Sequence, residues 1–426
     1  MAAIEDHPLR YQLANELHAR PFPTIPVPGT VAYLAVKQPS EAVHRDRMAD
    51  LQHLKDLLDR HGAPHPQPGA THHTAQLGRY TLKWEQHTEF VSYTLHGDGI
   101  SDRAFDPKDF ELFPPDWLEK APGQRITSAL IRVVARPDPE QIKTCVRDWF
   151  VPESLAMATV LDDNAVVAGD FRIDPAGHMR FALFVNKETG PQRVGRVVQR
   201  LCEIETYRAM SMLGFSRARG LTPTISAMDA SLSEMMREMT RGHVPADQTL
   251  SQLLTISAEL EAMAAQSAFR FGATGAYAAL VNQRISLLRE ERFVGFQTMA
   301  EFMLRRFEPA MRTVESTEKR LDVLADRARR AGELLRTRVD VERSAQNQAL
   351  LESMDRRADL QLRLQHTVEG LSVVAISYYA VSLAAYALYP LGKALDLSKG
   401  MLTAILTPLV IGAVFLAVRR IRKSLH

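Results

Sequence analysis

Asn15, Glu16, His18 and Arg20 crowd the end of the first helical stretch. A carboxylate, an imidazole and a guanidinium this close together could form a polar site, with the histidine as proton carrier. Adjacent positions on a helix do not face one another, however. Glu16 and Arg20, four apart, read better as an ion pair. The plainer alternative is a helix-end network that anchors the proline-rich stretch at residues 21–28. A second polar group is Glu369, Gly370, Ser372, Tyr379 and Ser382, at and within a long uncharged run. Ser372 and Tyr379, and Tyr379 and Ser382, can share one helical face. An ionisable residue at the mouth of an apolar span, such as Glu369, is a pore or interface candidate; a place among lipid headgroups is its plainer reading.

Other reactive types lead nowhere in particular. His61, His65, His72 and His73 share a loop rich in Pro and Gly over residues 61–74, and their spacing matches no standard zinc arrangement. Glu203, Glu205 and Arg208 interrupt an otherwise core-facing helix and read as salt-bridge partners. Cys145 and Cys202 make neither a disulfide framework nor a metal site, and read as free thiols in a reducing compartment. The chain has no phosphate-binding Gly-Lys loop, serine-nucleophile elbow or His-Glu-x-x-His pair. The residues therefore argue for no enzyme, no cofactor and no metal.

The elements that must position these groups fall into several blocks. Apolar residues are 46% of the chain, enough for a sizeable core, and a net charge of +2 does not suit a nucleic-acid binder. Residues 1–190 alternate strands and helices. Helical patterns cover residues 8–17 (stripe Leu9, Leu13, Leu17) and 41–60; strand patterns cover 30–36, 79–86, 88–96, 126–135, 156–161, 165–173 and 179–185. Turns are expected at 97–99, 162–164 and 174–177. This predicts an α/β domain with a mixed or antiparallel sheet, within an α+β chain. Residues 191–308 are helical almost everywhere, with several helices between Pro223 and Phe307. Residues 309–369 form a long stalk helix. Phe307 just before it and Met311, Val314, Leu321, Ala325, Ala328, Leu335 and Val339 within it keep a three–four spacing, a packing seam that either the preceding helices or a second copy of the chain must cover.

Residues 370–391 carry no charge and are long enough to cross a bilayer; residues 401–418 form a second apolar run, kinked at Pro408. Arg356, Arg357 and Arg363 precede the first run, and Arg419, Arg420, Arg422 and Lys423 follow the second in the tail 419–426. The connecting loop 392–400 offers only Lys393 and Lys399. Basic flanks stay inside, so both termini are expected in the cytoplasm and the loop outside. The first residues lack a basic start and an apolar run, so no secretory signal is expected.

Several stretches then match a known family: DHPLRYQLANELHARPFP (residues 6–23), VVQRLCEIETYRAMSMLG (197–214) and LLRTRVDVERSAQNQALLESMDRRADLQLRLQHTVEGLSVVAISYYAVSL (334–383). The chain resembles a bacterial family of predicted membrane-anchored proteins whose domain has no known function. The resemblance implies a multi-pass protein of the bacterial inner membrane, in contact with the lipid bilayer, and no particular activity. A second likeness is architectural: a cytoplasmic α/β domain, a long helix entering the membrane, two spans and a basic tail are similar to the CorA-type divalent-cation channels. Those carry Gly-Met-Asn after the first span; here the stretch reads YALYPLG (386–392), and Lys393 and Lys399 outweigh Asp396 in the outer loop. Three functions are thus in contention: a membrane-anchored scaffold or regulator with an unidentified protein partner, a CorA-like transporter, and a tethered enzyme.

Overall fold

A computed structural model describes residues 4–11, 13, 21–39, 45–241, 245–394 and 398–424. In chain order the elements are β1 (Gly29–Lys37), α1 (Arg47–Arg60), β2 (His72–Leu77), β3 (Tyr80–Gln86), β4 (Val91–Asp98), α2 (Pro115–Glu119), β5 (Gln124–Ala135), α3 (Pro139–Trp149), β6 (Ala156–Val160), β7 (Ala165–Gly169), β8 (Met179–Val185), α4 (Pro191–Arg241), α5 (Ala246–Ser286), β9 (Glu291–Arg292), α6 (Met299–Arg306), α7 (Glu308–Ala394) and α8 (Lys399–Ser424). The fold is mixed α+β: a nine-stranded sheet, then long helices.

The sheet order is β2-β3-β4-β1-β5-β8-β7-β6-β9. Neighbours are antiparallel except β5 and β8. Side chains alternate between its faces. On one face Ala32, Leu34, Val36, Leu82, Trp84, Tyr93 and Leu95 join Leu54, Leu57 and Leu58 of α1, Trp117 of α2, and Ile142 and Val146 of α3 in one core. The other face meets α4, where Val194, Val197, Val198 and Leu201 are buried. With both faces covered, β1 reads as a nearly continuous apolar run.

Local chemistry sets the element ends, and several differ from expectation. α1 starts at Arg47, because the Asp46 carboxylate accepts from the N–H groups of Met48 and Ala49 at 2.9 and 3.1 Å; residues 40–44 lie outside the described set. Leu13 N–H donates to the Leu9 carbonyl as the first helical pattern requires, but Leu17 is not among the described residues. His72 and His73 leave the expected loop to open β2, facing Glu85 and Trp84 of β3. β4 continues through Gly97 and Asp98 to pair with Thr30 and Gly29, so the turn falls at Gly99, whose φ of +87° suits glycine. α2 and α3 were not anticipated; α3 begins with Asp138 capping Glu140 and Gln141. Pro223 does not end a helix but lies inside the 51-residue α4. A proline removes one intrahelical bond; here buried Leu221 and Ile225 hold both sides of the gap.

The chain divides into two compact units, Met1–His243 with Ser251–Ala331, and Val244–Leu250 with Gly332–His426. In the first, α4 and α5 lie antiparallel. Gly214 comes so close to Thr274 that a Cβ there would sit 2.0 Å from the threonine Oγ1. Further along, Arg217 Nε donates to Ser267 Oγ at 3.3 Å, and Arg200 Nη1 to the Leu287 carbonyl at 2.7 Å. α4 also meets α7, where Asp229 pairs with Arg320 and Arg327 at 3.6 and 2.7 Å. Met311, Val314, Thr317, Leu321, Leu324, Ala328 and Ala331 of α7 are buried. The expected seam is therefore covered within one chain, with Leu324 rather than half-buried Ala325 at its centre.

In the second unit Ala246, Leu335 and Val339 are buried, whereas residues 340–368 of α7 are exposed on every side. Two helices, ending at Leu391 and beginning at Lys399, are long and apolar enough to cross a membrane. Their most apolar windows are only 6% and 0% buried, unlike the core helix of a soluble domain.

Candidate functional site

Polar side chains gather in several places among the described residues, and two of these bear on function. The first is a layer between the sheet and α4. Period-two alternation that sends Leu82, Trp84, Tyr93 and Leu95 into the core sends Lys83, Glu85, Ser92, Thr94 and His96 to the opposite face. α4 answers with Gln199, Cys202, Glu203, Glu205, Thr206 and Arg208. Lys83 Nζ lies 3.2 Å from Glu85 and donates to Gln199 Oε1 at 2.8 Å. Gln199 Nε2 donates to Glu203 Oε1 at 2.8 Å, and Arg284 of α5 pairs with the same carboxylate. Glu205, 1% exposed, accepts from Thr127 Oγ1 at 2.9 Å and from Arg208 Nη2 at 2.8 Å. The Tyr33 hydroxyl is 2.6 Å from Thr206 Oγ1.

The electrostatics follow from enclosure. Burial pushes the Cys202 thiol and the Tyr33 phenol well up, so neither ionises at neutral pH. Burial, with the Lys83 charge adding to it, pushes His96 down to about 4. Burial also works against the Arg208 guanidinium, yet the Glu205 carboxylate holds its pKa above the usual value. The free volume is about 20 Å³, room for one water. Every charge named is paired and the thiol is protonated. What this layer can do is fix the register of α4 on the sheet. Glu203, Glu205 and Arg208 thus act as ion-pair partners, joined by Lys83 and Gln199, whose places the sequence pattern does not reveal.

The second place is a groove of about 800 Å³ between the apolar part of α7 and α8. Val373, Ser377, Val381, Ala385 and Tyr389 line it at every fourth residue of α7, with Tyr378, Ser382 and Tyr386 beside them; Lys399, Thr403, Thr407 and Ile411 line it from α8. Ser382 Oγ donates to the Tyr378 carbonyl at 3.0 Å, Thr403 to Lys399 at 2.9 Å and Thr407 to Thr403 at 2.7 Å. The Lys399 ammonium stands 5.7 Å from the centre of the Tyr386 ring. Ser377 is 6% exposed and its hydroxyl has no partner among the described residues.

The residues singled out from sequence are distributed unevenly. Ser382 lines the groove. Gly370, Ser372 and Tyr379 are exposed and do not line it. Half-buried Glu369 accepts from Gln365 at 3.4 Å and lies 3.8 Å from His366. Asn15, Glu16, His18 and Arg20 lie outside the described residues. Of the histidine group, His65 meets Asp59 at 2.6 Å and His73 the Pro64 carbonyl at 2.9 Å, so these two do not converge. No group of three or more metal-ligating side chains occurs among the described residues.

Residues 5–425 match one protein family over both units and both apolar helices, described as protein of unknown function, DUF3422. The chain belongs to the DUF3422 family. The DUF3422 match spans residues 197–214, which build one wall of the polar layer, and 334–383, which enter the groove. No curated protein matches the chain.

Proposed function

We propose that this DUF3422 protein is an integral membrane scaffold or regulatory protein of the bacterial inner membrane. The observation that carries the reading is the pair of apolar helices left 6% and 0% buried by the rest of the chain. Water penalises that much unpaired apolar surface, whereas hydrocarbon accepts it, and a helix satisfies its own backbone there. The basic residues on both flanks favour cytoplasmic termini and an outer loop at residues 392–400. Residues 1–190 and 191–308 then form the cytoplasmic part, residues 309–369 the stalk, and residues 370–391 and 401–418 the spans.

A scaffold is favoured over an enzyme because the enclosed polar layer has its charges paired and room for one water only. Self-association, in this reading, uses residues 340–368 and not the seam around Leu321. Val341, Leu350, Leu351, Met354, Leu360, Leu362, Leu364 and Val368 are each more than half exposed there. CorA-like conduction is the second reading; the hydroxyl-bearing groove wall is its one support. The test is alkaline extraction of membranes. The full chain should stay in the pellet, and a chain ending at Glu369 should be released. Full-length protein in the alkaline supernatant would overturn the reading.

A further inference from the structure

Among the residues that line the groove between the two apolar helices, the charged one, Lys399, stands at one end. Lys399 and Tyr386 stand together there, with Tyr389 one turn away towards the loop. Deeper in, the wall residues that carry hydroxyls have mostly spent them. Ser382, Thr403 and Thr407 each donate to a carbonyl of their own helix, so their protons need no partner from the groove, while the Ser377 hydroxyl has no partner among the described residues. Val373, Val374, Val381 and Ile411 complete an apolar surface. With those hydroxyl protons engaged and valine and isoleucine side chains beside them, the wall suits a hydrocarbon chain.

We infer that this groove binds one phospholipid of anionic headgroup, its phosphate at Lys399 and an acyl chain running towards Ile411. The inference rests on the proposed membrane insertion. From Lys399 to Ile411 the helix rises about 18 Å at 1.5 Å per residue. One leaflet of a ~30 Å hydrocarbon core is about 15 Å deep. A lipid chain entering at the cationic end therefore matches the groove in length. Among the described residues no carboxylate pairs with Lys399, so its ammonium is available to a phosphate. Tyrosine hydroxyls at this level can donate to the same group.

The test uses the full chain in mild detergent, after its retention in alkali-washed membranes has been established. That order separates failure of the groove from failure of membrane insertion. Native mass spectrometry and thermal unfolding are read with added phosphatidylglycerol, phosphatidylcholine or inorganic phosphate. Phosphatidylglycerol should remain bound and raise the unfolding midpoint more than phosphatidylcholine does, and inorganic phosphate should do neither. Lys399→Gln should weaken phosphatidylglycerol binding about five-fold, as expected for one interfacial charge at ~1 kcal/mol, and Lys399→Arg should retain it. Ile411→Trp, or Ser382→Leu should that variant misfold, should fill the groove and reduce binding of both lipids. Equal retention of the two lipids overturns the inference, as does phosphatidylglycerol binding that neither Lys399→Gln nor a groove-filling variant changes. Displacement of the lipid by inorganic phosphate would point to a free-anion site and overturn it too. So would a wild-type dimer that Ile411→Trp dissociates, because the groove would then belong to a second copy.

Discussion

Leu321 and Leu350 occupy the same helix in opposite circumstances. Leu321 is 2% exposed in the bundle formed with α4, and Leu350 is 60% exposed. Full burial of a leucine contributes about 1.5–3 kcal/mol by transfer alone, and truncation to alanine adds a cavity, for a total of roughly 2–5 kcal/mol. Leu321→Ala should therefore cost about 3 kcal/mol, whereas Leu350→Ala should stay within about 0.5 kcal/mol, the usual range for a surface site. For a unit of this size, at about 2.1 cal/mol/K of unfolding entropy per residue, 1 kcal/mol lowers the melting temperature by about 1.5 °C. The expected drops are then about 4–5 °C for Leu321→Ala and under about 1 °C for Leu350→Ala. Thermal unfolding of the full chain in detergent, followed by far-UV circular dichroism, measures both, and size-exclusion light scattering reports copy number in the same samples. If self-association uses the exposed stretch, Leu350→Asp should lower the copy number without a matching loss of bundle stability. Loss of less than ~1 kcal/mol from Leu321→Ala, or dissociation without destabilisation, would refute the assignment of that seam to the interior of one chain.

Glu205→Ala should destabilise the first unit by roughly 3–5 kcal/mol, because it leaves the Arg208 guanidinium and the Thr127 hydroxyl unpaired beneath α4; Glu205→Gln should cost less, and equal losses in denaturant melts would count against the ion pair. His96 titrates near 4 when folded and near 6.5 when unfolded. Its neutral form fits the fold, so stability is full above the unfolded value and falls as pH drops through the window from 6.5 to 4. Between pH 7 and pH 5 that amounts to about 2 kcal/mol, which His96→Gln should remove; a wild-type curve flat across this range would contradict the enclosure of His96.

Where an element is buried on both sides, its residues announce it. β1 and β8 are apolar nearly throughout, and their bounds were readable to within a residue or two. β2 was not, because His72, His73 and Thr74 form a polar strand at the end of the sheet order that only pairing with β3 makes extended. α3 hid in the same way: Asp138-Pro139 is a start signal, but only Ile142 and Val146 face the core. Pro223 misled, since packing around Ile225 outweighs one lost backbone bond. For α7 the apolar stripe was legible and its covering was not, because a three–four spacing records that a face is buried and not which helix buries it. The polar layer was half visible, as Glu203, Glu205 and Arg208 stood out on an apolar helix. Lys83 and His96 did not, because their place depends on which face of the sheet α4 covers. The groove is less legible still. It depends on how two helices are rotated against each other, which brings Ser377 and Ser382 to face Thr403 and Thr407 while Ser372 and Tyr379 stay outside it.

Single-cysteine labelling in intact cells tests membrane crossing most directly. Cys145 and Cys202 are the chain's own thiols, so a Cys145→Ser, Cys202→Ser background leaves one reporter at a time: Ser398→Cys in the connecting loop or Ser424→Cys in the tail. A membrane-impermeant maleimide should label Ser398→Cys in intact cells and reach Ser424→Cys only after permeabilisation. Labelling of both sites before permeabilisation, or of Ser398→Cys only after it, would contradict a chain that crosses the membrane twice with its termini in the cytoplasm.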